Sequence, residues 1–136
     1  MAWSFTSRAP VYMQIVSRIR ADILGGVYQP DQQIPAVRQL ALTAGVNPNT
    51  MQRAFTVLEA EQLFITRGTI GRFITTDTEV LARAREVMRR ETVARLVEEA
   101  AAVGISPEEL IEGIRAYERE SAAADTGEAS QETTTP

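Results

Sequence analysis

Five polar residues with side chains that can bind nucleic acid cluster at the start of a predicted helix: Asn47, Asn49, Thr50, Gln52 and Arg53. Asn and Gln amides pair with the edge of adenine, Arg pairs with guanine or phosphate, and a hydroxyl binds phosphate. This cluster on the first turns of one helix is typical of an element that reads bases in the major groove of DNA.

The residues before this cluster predict the turn that positions it. Val37, Leu40 and Ala41 are the apolar face of a short second helix that begins near residue 35. Gly45 supplies the positive φ of a sharp turn, and Asn47 caps the next helix, which runs from Pro48 to about Gln62 with an ordinary apolar core face. Two short helices joined in this way form a helix-turn-helix.

Three side chains near this turn allow two interpretations each. Arg38 projects from the second helix toward a phosphate or a guanine edge, or it is a solvated surface residue. Arg53 reaches the DNA backbone or pairs with an acidic residue along its own helix. The sequence favours a packed ring over a DNA contact for Tyr12.

A β-hairpin is predicted directly after the third helix. Residues 64–66 and 72–74 are rich in β-branched and aromatic side chains, and they bracket a bend that contains Gly68 and Gly71. Such a hairpin is the wing of a winged helix. Arg67, Gly68 and Thr69 are then expected to reach toward the minor groove, and a plain turn is the alternative.

The predicted organisation has four parts. Residues 1–9 are a flexible arm and residues 10–76 a winged helix-turn-helix, whose first helix carries an apolar stripe at four-residue spacing. Residues 77–120 form two amphipathic helices that are too short to enclose a core. Their apolar stripe could fold back on the winged helix or meet a different protein, but we expect it to dimerise with a second copy. Residues 121–136 are a disordered tail. The fold class is mostly α with a small β-ribbon, and the predicted dimerisation residues are Val80, Ala84, Val87, Met88, Leu96, Val97, Ala100, Leu110, Ile114 and Tyr117.

Composition limits the classes of function. The 136-residue chain has a net charge of −4, but residues 1–76 carry seven arginines against four acids, and residues 77–136 seven arginines against fourteen. The N-terminal half is therefore the expected DNA-facing part. The absence of Cys and His argues against disulfides, the usual zinc sites and His-based catalysis, so we expect no enzyme, metal or other cofactor. Neither a signal segment nor a membrane span is evident, and a cytoplasmic location is expected.

These segments resemble the GntR family of bacterial transcription regulators, and within it the YtrA-type branch, over residues 8–120. The matching segments are residues 10–15, 34–41, 45–59 and 99–106. The sequence departs from the family pattern at Ala36, where Ser is frequent, and at Gln62 and Thr69, where Gly is frequent.

The resemblance implies a dimeric repressor that binds a semi-palindromic operator, commonly upstream of its own gene and of genes for an ABC-type transporter. The ligand-binding domain of larger branches has no counterpart here. A small-molecule effector, if there is one, is expected at the dimer interface or between that interface and the wing. A winged helix used for protein or RNA contact is the main alternative, and the sequence does not separate repression from activation.

Overall fold

The computed structural model describes residues 2–132, with side chains to residue 127, and divides the chain into two compact units between Met88 and Arg89. No helix in this part of the chain is long and apolar enough to cross a membrane. The elements in chain order are α1 (Val11–Leu24), α2 (Val37–Ala44), α3 (Pro48–Ala60), β1 (Phe64–Arg67), β2 (Gly71–Ile74), α4 (Thr78–Ala102) and α5 (Pro107–Glu132). The predicted fold class, mostly helical with a small β-ribbon, is confirmed.

The core of the N-terminal unit lies between α1, α2, α3 and the strands. The apolar stripe of α1 packs against α3, where Phe55 is fully buried and meets the ring of Phe64 edge-on at 5.1 Å between centroids. Burial of this kind is the main favourable contribution to folding, at about 25 cal/mol per Å² of apolar surface. The core side chains of the two helices are Ile15, Val16, Ile19, Ile23, Met51, Ala54, Phe55 and Leu58.

The turn between α2 and α3 has the geometry that the sequence predicts. Gly45 ends α2 in the left-handed region at φ 74°, and an added Cβ would lie 2.9 Å from the Cβ of Ala2. The Asn47 side chain accepts a hydrogen bond from the backbone N–H of Asn49 at 2.8 Å. The cap and the glycine together set the direction in which α3 leaves the turn.

The wing is a two-stranded antiparallel sheet that a third segment extends. Phe64 pairs with Ile74 and Arg67 with Gly71, and residues 68–70 form the bend. The segment before α2 lies along β2: the N–H of Ile34 donates to the Arg72 carbonyl at 3.0 Å, and an isolated bridge joins Gln33 to Phe73. The segment before α2 therefore supports the wing along its second strand, β2.

The first residues of the chain differ from the predicted flexible arm. The N–H of Trp3 donates to the Ala44 carbonyl at 3.1 Å, and the rings of Trp3 and Phe5 are half-buried against the core. The Gln14 side chain both accepts from the N–H of Thr6 and donates to its carbonyl, at 2.9 and 2.8 Å. An arm with two aromatic rings gains enough apolar contact to be ordered on the domain, which a lack of periodicity does not reveal.

Helix α4 corrects part of the predicted dimerisation surface. Val80 is 6% exposed and belongs to the core of the N-terminal unit, and Ala84 packs against that core. Ala100 is also buried, and its carbonyl accepts the N–H of Ile105 at 2.9 Å in the turn after α4. The first turns of α4 pack on the winged helix. The apolar stripe predicted from the sequence therefore includes residues that are buried within one chain and do not need a partner.

Helix α5 continues further than predicted. At its start the Ser106 hydroxyl accepts the N–H of Glu109 at 3.2 Å, which caps the helix. The helix then extends to Glu132, whereas the sequence predicted a disordered tail from residue 121; residues 133–136 lie outside the described part of the chain. Three consecutive alanines at positions 122–124 have the highest helix propensity and favour this continuation.

Replacing Gln62 with Gly should stabilise the N-terminal unit by about 1 kcal/mol. Gln62 ends α3 at φ 65°, with the N–H of Leu63 bonded back to the Leu58 carbonyl at 3.0 Å. A side chain is disfavoured in this left-handed conformation, and glycine removes that cost. Thermal and urea unfolding measure the gain; Gln62→Ala, which keeps the Cβ, is the matched control and should show none. Equal stability of Gln62→Gly and wild type would contradict the argument.

Candidate nucleic-acid interface

The first turns of α3 expose the polar cluster that the sequence singled out. Asn49, Gln52 and Arg53 are exposed, Thr50 is half-buried, and the Asn47 side chain is occupied by its capping bond. The Gln52 amide lies 3.4 Å from the Thr56 hydroxyl, a contact that can be exchanged for a base edge. The cluster is therefore presented on one turn of a helix whose opposite face is locked in the core.

Arg53 does not form the ion pair along its own helix that was one of its two predicted arrangements. Its guanidinium carbon lies 3.9 Å from the centroid of the Tyr12 ring, a cation–π contact between α3 and α1. The two side chains belong to a shallow notch of about 400 Å³ that also includes Asn49 and Thr50. Tyr12 is half-buried, in line with the packed ring predicted for it, and it restrains Arg53 beside the polar turn.

Arg38 stands at the exposed start of α2. No side chain caps this helix at Ala36, as the substitution of Ser by Ala predicted, so the first amide groups of α2 keep their capacity to donate. Among the side chains that the structure describes, residues 2–127, the Arg38 guanidinium has no ion-pair or hydrogen-bond partner. An unpaired guanidinium beside free helix-terminal N–H groups is suited to an anion such as a phosphate.

The two arginines of the wing are both held at its base. Arg67 pairs with Asp31 and lies over the Phe73 ring at 4.3 Å. Arg72 pairs with Glu59 of α3. Gly68 at φ 52° and exposed Thr69 are left at the bend, where an added Cβ on Gly68 would meet nothing within 4 Å.

The charges of the N-terminal unit divide into pairs and unpaired arginines. Asp31, Glu59 and Glu61 each pair with an arginine, and the partner of Glu61 is Arg20. The arginines outside these pairs include Arg38 and Arg53, which place positive charge without an ion-pair partner at the start of α2 and on the first turns of α3. Away from this cluster, burial raises the pKa of Tyr28, and nearby Asp22 raises it further.

Sequence reasoning missed the residues that hold the wing. Asp31 sits at φ 68° and positions Arg67, while the Gln33 side chain donates to the Ile70 carbonyl at 2.8 Å. Both belong to the loop before α2, and each lies more than 35 residues from its wing partner. Local sequence patterns do not reveal such contacts between distant segments.

The fold and this surface together define a winged helix-turn-helix of the DNA-binding class. The profile described as "Bacterial regulatory proteins, gntR family" matches residues 11–74. The chain belongs to the GntR family and, within it, to the YtrA-type branch; it is a DNA-binding transcriptional regulator.

Relatives match most of the chain. The HTH-type transcriptional regulator YhcF of Bacillus subtilis is 31% identical over 113 residues, which cover 83% of this chain and 93% of YhcF. The HTH-type transcriptional repressor YtrA of the same organism is 31% identical over 110 residues, covering 80% of this chain and 85% of YtrA.

Solved structures share the fold. A GntR family transcriptional regulator from Listeria monocytogenes has a TM-score of 0.71 and 29% identity, and covers 82% of this chain and 97% of that chain. AraR(DBD) in complex with operator ORX1 has a TM-score of 0.50 and 26% identity, and covers 55% of this chain and 99% of that chain.

Replacing Asp31 with Asn should strengthen binding to all duplexes by up to about fivefold, since an exposed ion pair is worth up to about 1 kcal/mol. The substitution frees Arg67 for the DNA backbone and removes one negative charge, and Asn tolerates the left-handed φ. Fluorescence anisotropy at several salt concentrations should show a steeper salt dependence. Asp22→Asn is the matched control, because it removes the same charge outside the wing and should change affinity less. A weaker Asp31→Asn variant would mean that the ion pair organises the wing for binding.

Proposed function

We propose that this protein is a cytoplasmic dimeric repressor of its own operon, with ABC-type transporter genes as the expected neighbours. It binds a semi-palindromic operator with one winged helix on each half-site. The observation that carries the proposal is the unpaired Arg38 beside the exposed polar first turn of α3. A winged helix that docks on protein surfaces would more often present apolar side chains there.

Each exposed group is given a role that its chemistry supports. The Asn49 and Gln52 amides contact adenine edges, and Arg38 contacts a phosphate or a guanine edge. The remaining groups approach the sugar–phosphate backbone or the minor groove. These groups are Asn47, Thr50, Arg53, Arg67, Gly68 and Thr69.

The dimer is proposed from apolar surface that the chain leaves exposed. In the C-terminal unit Leu96, Ile114 and Tyr117 are 41%, 46% and 72% exposed. They belong to apolar stripes of their helices, and such a stripe is normally buried against another surface. Val97 and Leu110 are half-buried beside them, and Val87 and Met88 continue the stripe at the end of the N-terminal unit. A second copy covers such a surface with identical residues and spaces two recognition helices for a palindrome.

No catalytic role, metal or other cofactor enters the proposal, and the relatives that match are transcriptional regulators. Residues 89–127 have exposed apolar side chains where a ligand pocket would need enclosed ones. A small-molecule effector of this protein would therefore bind at the dimer interface or between that interface and the wing.

Fluorescence anisotropy on labelled duplex from immediately upstream of its own gene tests the proposal, with a scrambled duplex as control. We expect a preference of about a thousandfold or more and an affinity that falls steeply with salt. Equal weak binding to both duplexes would contradict autoregulation. No binding even at low salt would favour the protein- or RNA-interaction alternative.

A further inference from the structure

The tip of the wing presents a large apolar side chain to solvent. Ile70 is 69% exposed at the bend between β1 and β2. Its neighbours at the tip are Gly68 and Thr69, so Ile70 is the bulkiest group there. An exposed isoleucine is not itself unusual, but this one stands at the end of the element that the proposed function directs at the minor groove.

The backbone of Ile70 is held in place on both sides. Its N–H donates to the Arg67 carbonyl at 3.0 Å, and its carbonyl accepts the Gln33 side-chain amide at 2.8 Å. Gln33 also packs against Gly71, where an added Cβ would lie 2.7 Å from the Gln33 Nε2. With its polar backbone atoms already paired, Ile70 offers DNA its hydrocarbon side chain from a bend that Gln33 braces.

The arginines that usually enter a minor groove are held away from this tip. Arg67 pairs with Asp31 over the Phe73 ring, and Arg72 pairs with Glu59. The guanidinium groups of both arginines are therefore paired with carboxylates, and the largest side chain at the tip is apolar. Proteins that bind the minor groove frequently insert an apolar side chain between base pairs and kink the duplex by about 20–90°.

We propose that Ile70 is an apolar wedge that enters the minor groove of the operator and partly unstacks one base step, so that the protein bends its DNA. The inference rests on the proposed function, because it takes the wing to lie in the minor groove. Gln33 is the positioning residue that holds the wedge. A pyrimidine–purine step is the expected target, because such steps unstack at low cost.

The test uses the full chain and a duplex that the wild-type protein selects from a random pool. Energy transfer between dyes on the two duplex ends reports bending, and 2-aminopurine at successive positions reports unstacking. The wild type should bend the duplex by about 20–90° and raise 2-aminopurine fluorescence at one step of each half-site. Ile70→Ser should lose most of the bend and bind at least about tenfold more weakly.

Three variants separate a wedge from other roles. Ile70→Leu keeps a hydrocarbon of the same size and should keep the bend. Val27→Ser removes another exposed apolar side chain, 65% exposed outside the wing, and should change neither readout. Gln33→Met keeps the length of the side chain but loses the donor, and it should reduce the bend while thermal unfolding stays close to wild type.

Each alternative outcome decides against the wedge. A selected duplex that stays straight with wild type bound would overturn it and leave DNA recognition intact. Weaker binding by Ile70→Ser with an unchanged bend would assign Ile70 to sugar contacts instead. If the selection enriches no duplex from the pool, both the proposed function and the wedge are contradicted.

Discussion

The Arg38→Ala variant is expected to bind its operator about 5- to 150-fold more weakly than wild type, which corresponds to the roughly 1–3 kcal/mol of a well-placed arginine contact. Arg38 is exposed at the start of α2, has no partner among the described side chains of residues 2–127 and lies beside uncapped N–H groups. The variant loses both a charge and a donor directed at the DNA. If the partner of Arg38 is a phosphate, the slope of log affinity against log salt concentration should become less steep by about one.

A matched control separates this contact from general electrostatics. Arg85→Ala removes one exposed positive charge from α4 without touching α2 or α3, and it should change affinity little. Gln52→Ala, on the first turns of α3, should instead relax the preference at one or two base positions while the salt dependence stays unchanged. Unchanged affinity in both Arg38→Ala and Gln52→Ala would contradict the orientation proposed for the two helices on DNA.

Sequence predicted the helices and the wing because their signals are local. Gly45 and Asn47 mark the helix-turn-helix by their backbone and capping preferences, and the structure confirms φ 74° at the first and a capping bond at the second. Gln62 could also be recognised, because a position where the family often has glycine is one where the backbone is left-handed. Each of these features depends on residues within a turn or two.

Sequence did not predict the contacts that set the side chains of the site. The pairing of Arg67 with Asp31, the stacking of Arg53 on Tyr12 and the docking of Trp3 join residues far apart in the chain. Periodicity and composition do not determine which exposed arginine meets an acid and which stays unpaired. The structure therefore distinguishes two of the predicted DNA-binding arginines. Arg38 has no ion pair to break before it binds DNA, whereas the ion pair between Arg67 and Asp31 must break first.

Contacts between distant residues also explain why part of the predicted dimerisation surface was wrong. An apolar residue on an amphipathic helix is buried either by its own chain or by a partner, and sequence does not distinguish the two. Val80 is buried by the winged helix, whereas Leu96 and Tyr117 are exposed. The apolar surface that remains for a partner is thus concentrated toward the end of α4 and on α5.

Replacing both Leu96 and Val97 with Asp should yield a monomer whose operator affinity is about 100- to 10,000-fold lower, because two linked half-sites gain that much from simultaneous binding. Leu96 is 41% exposed and Val97 half-buried, and charge at both positions cannot be desolvated in an apolar interface. Light scattering after gel filtration measures the mass, and anisotropy measures the affinity for full and half operators.

Ala82→Asp is the matched control for added charge, because Ala82 is exposed on the same helix outside the predicted set. It should leave mass and affinity unchanged. The double variant should still bind a half operator with the affinity of one winged helix, which shows that the N-terminal unit remains folded. A dimeric mass for the double variant would place the interface elsewhere. A monomeric mass with full operator affinity would instead separate dimerisation from DNA recognition, because avidity would then contribute nothing to binding.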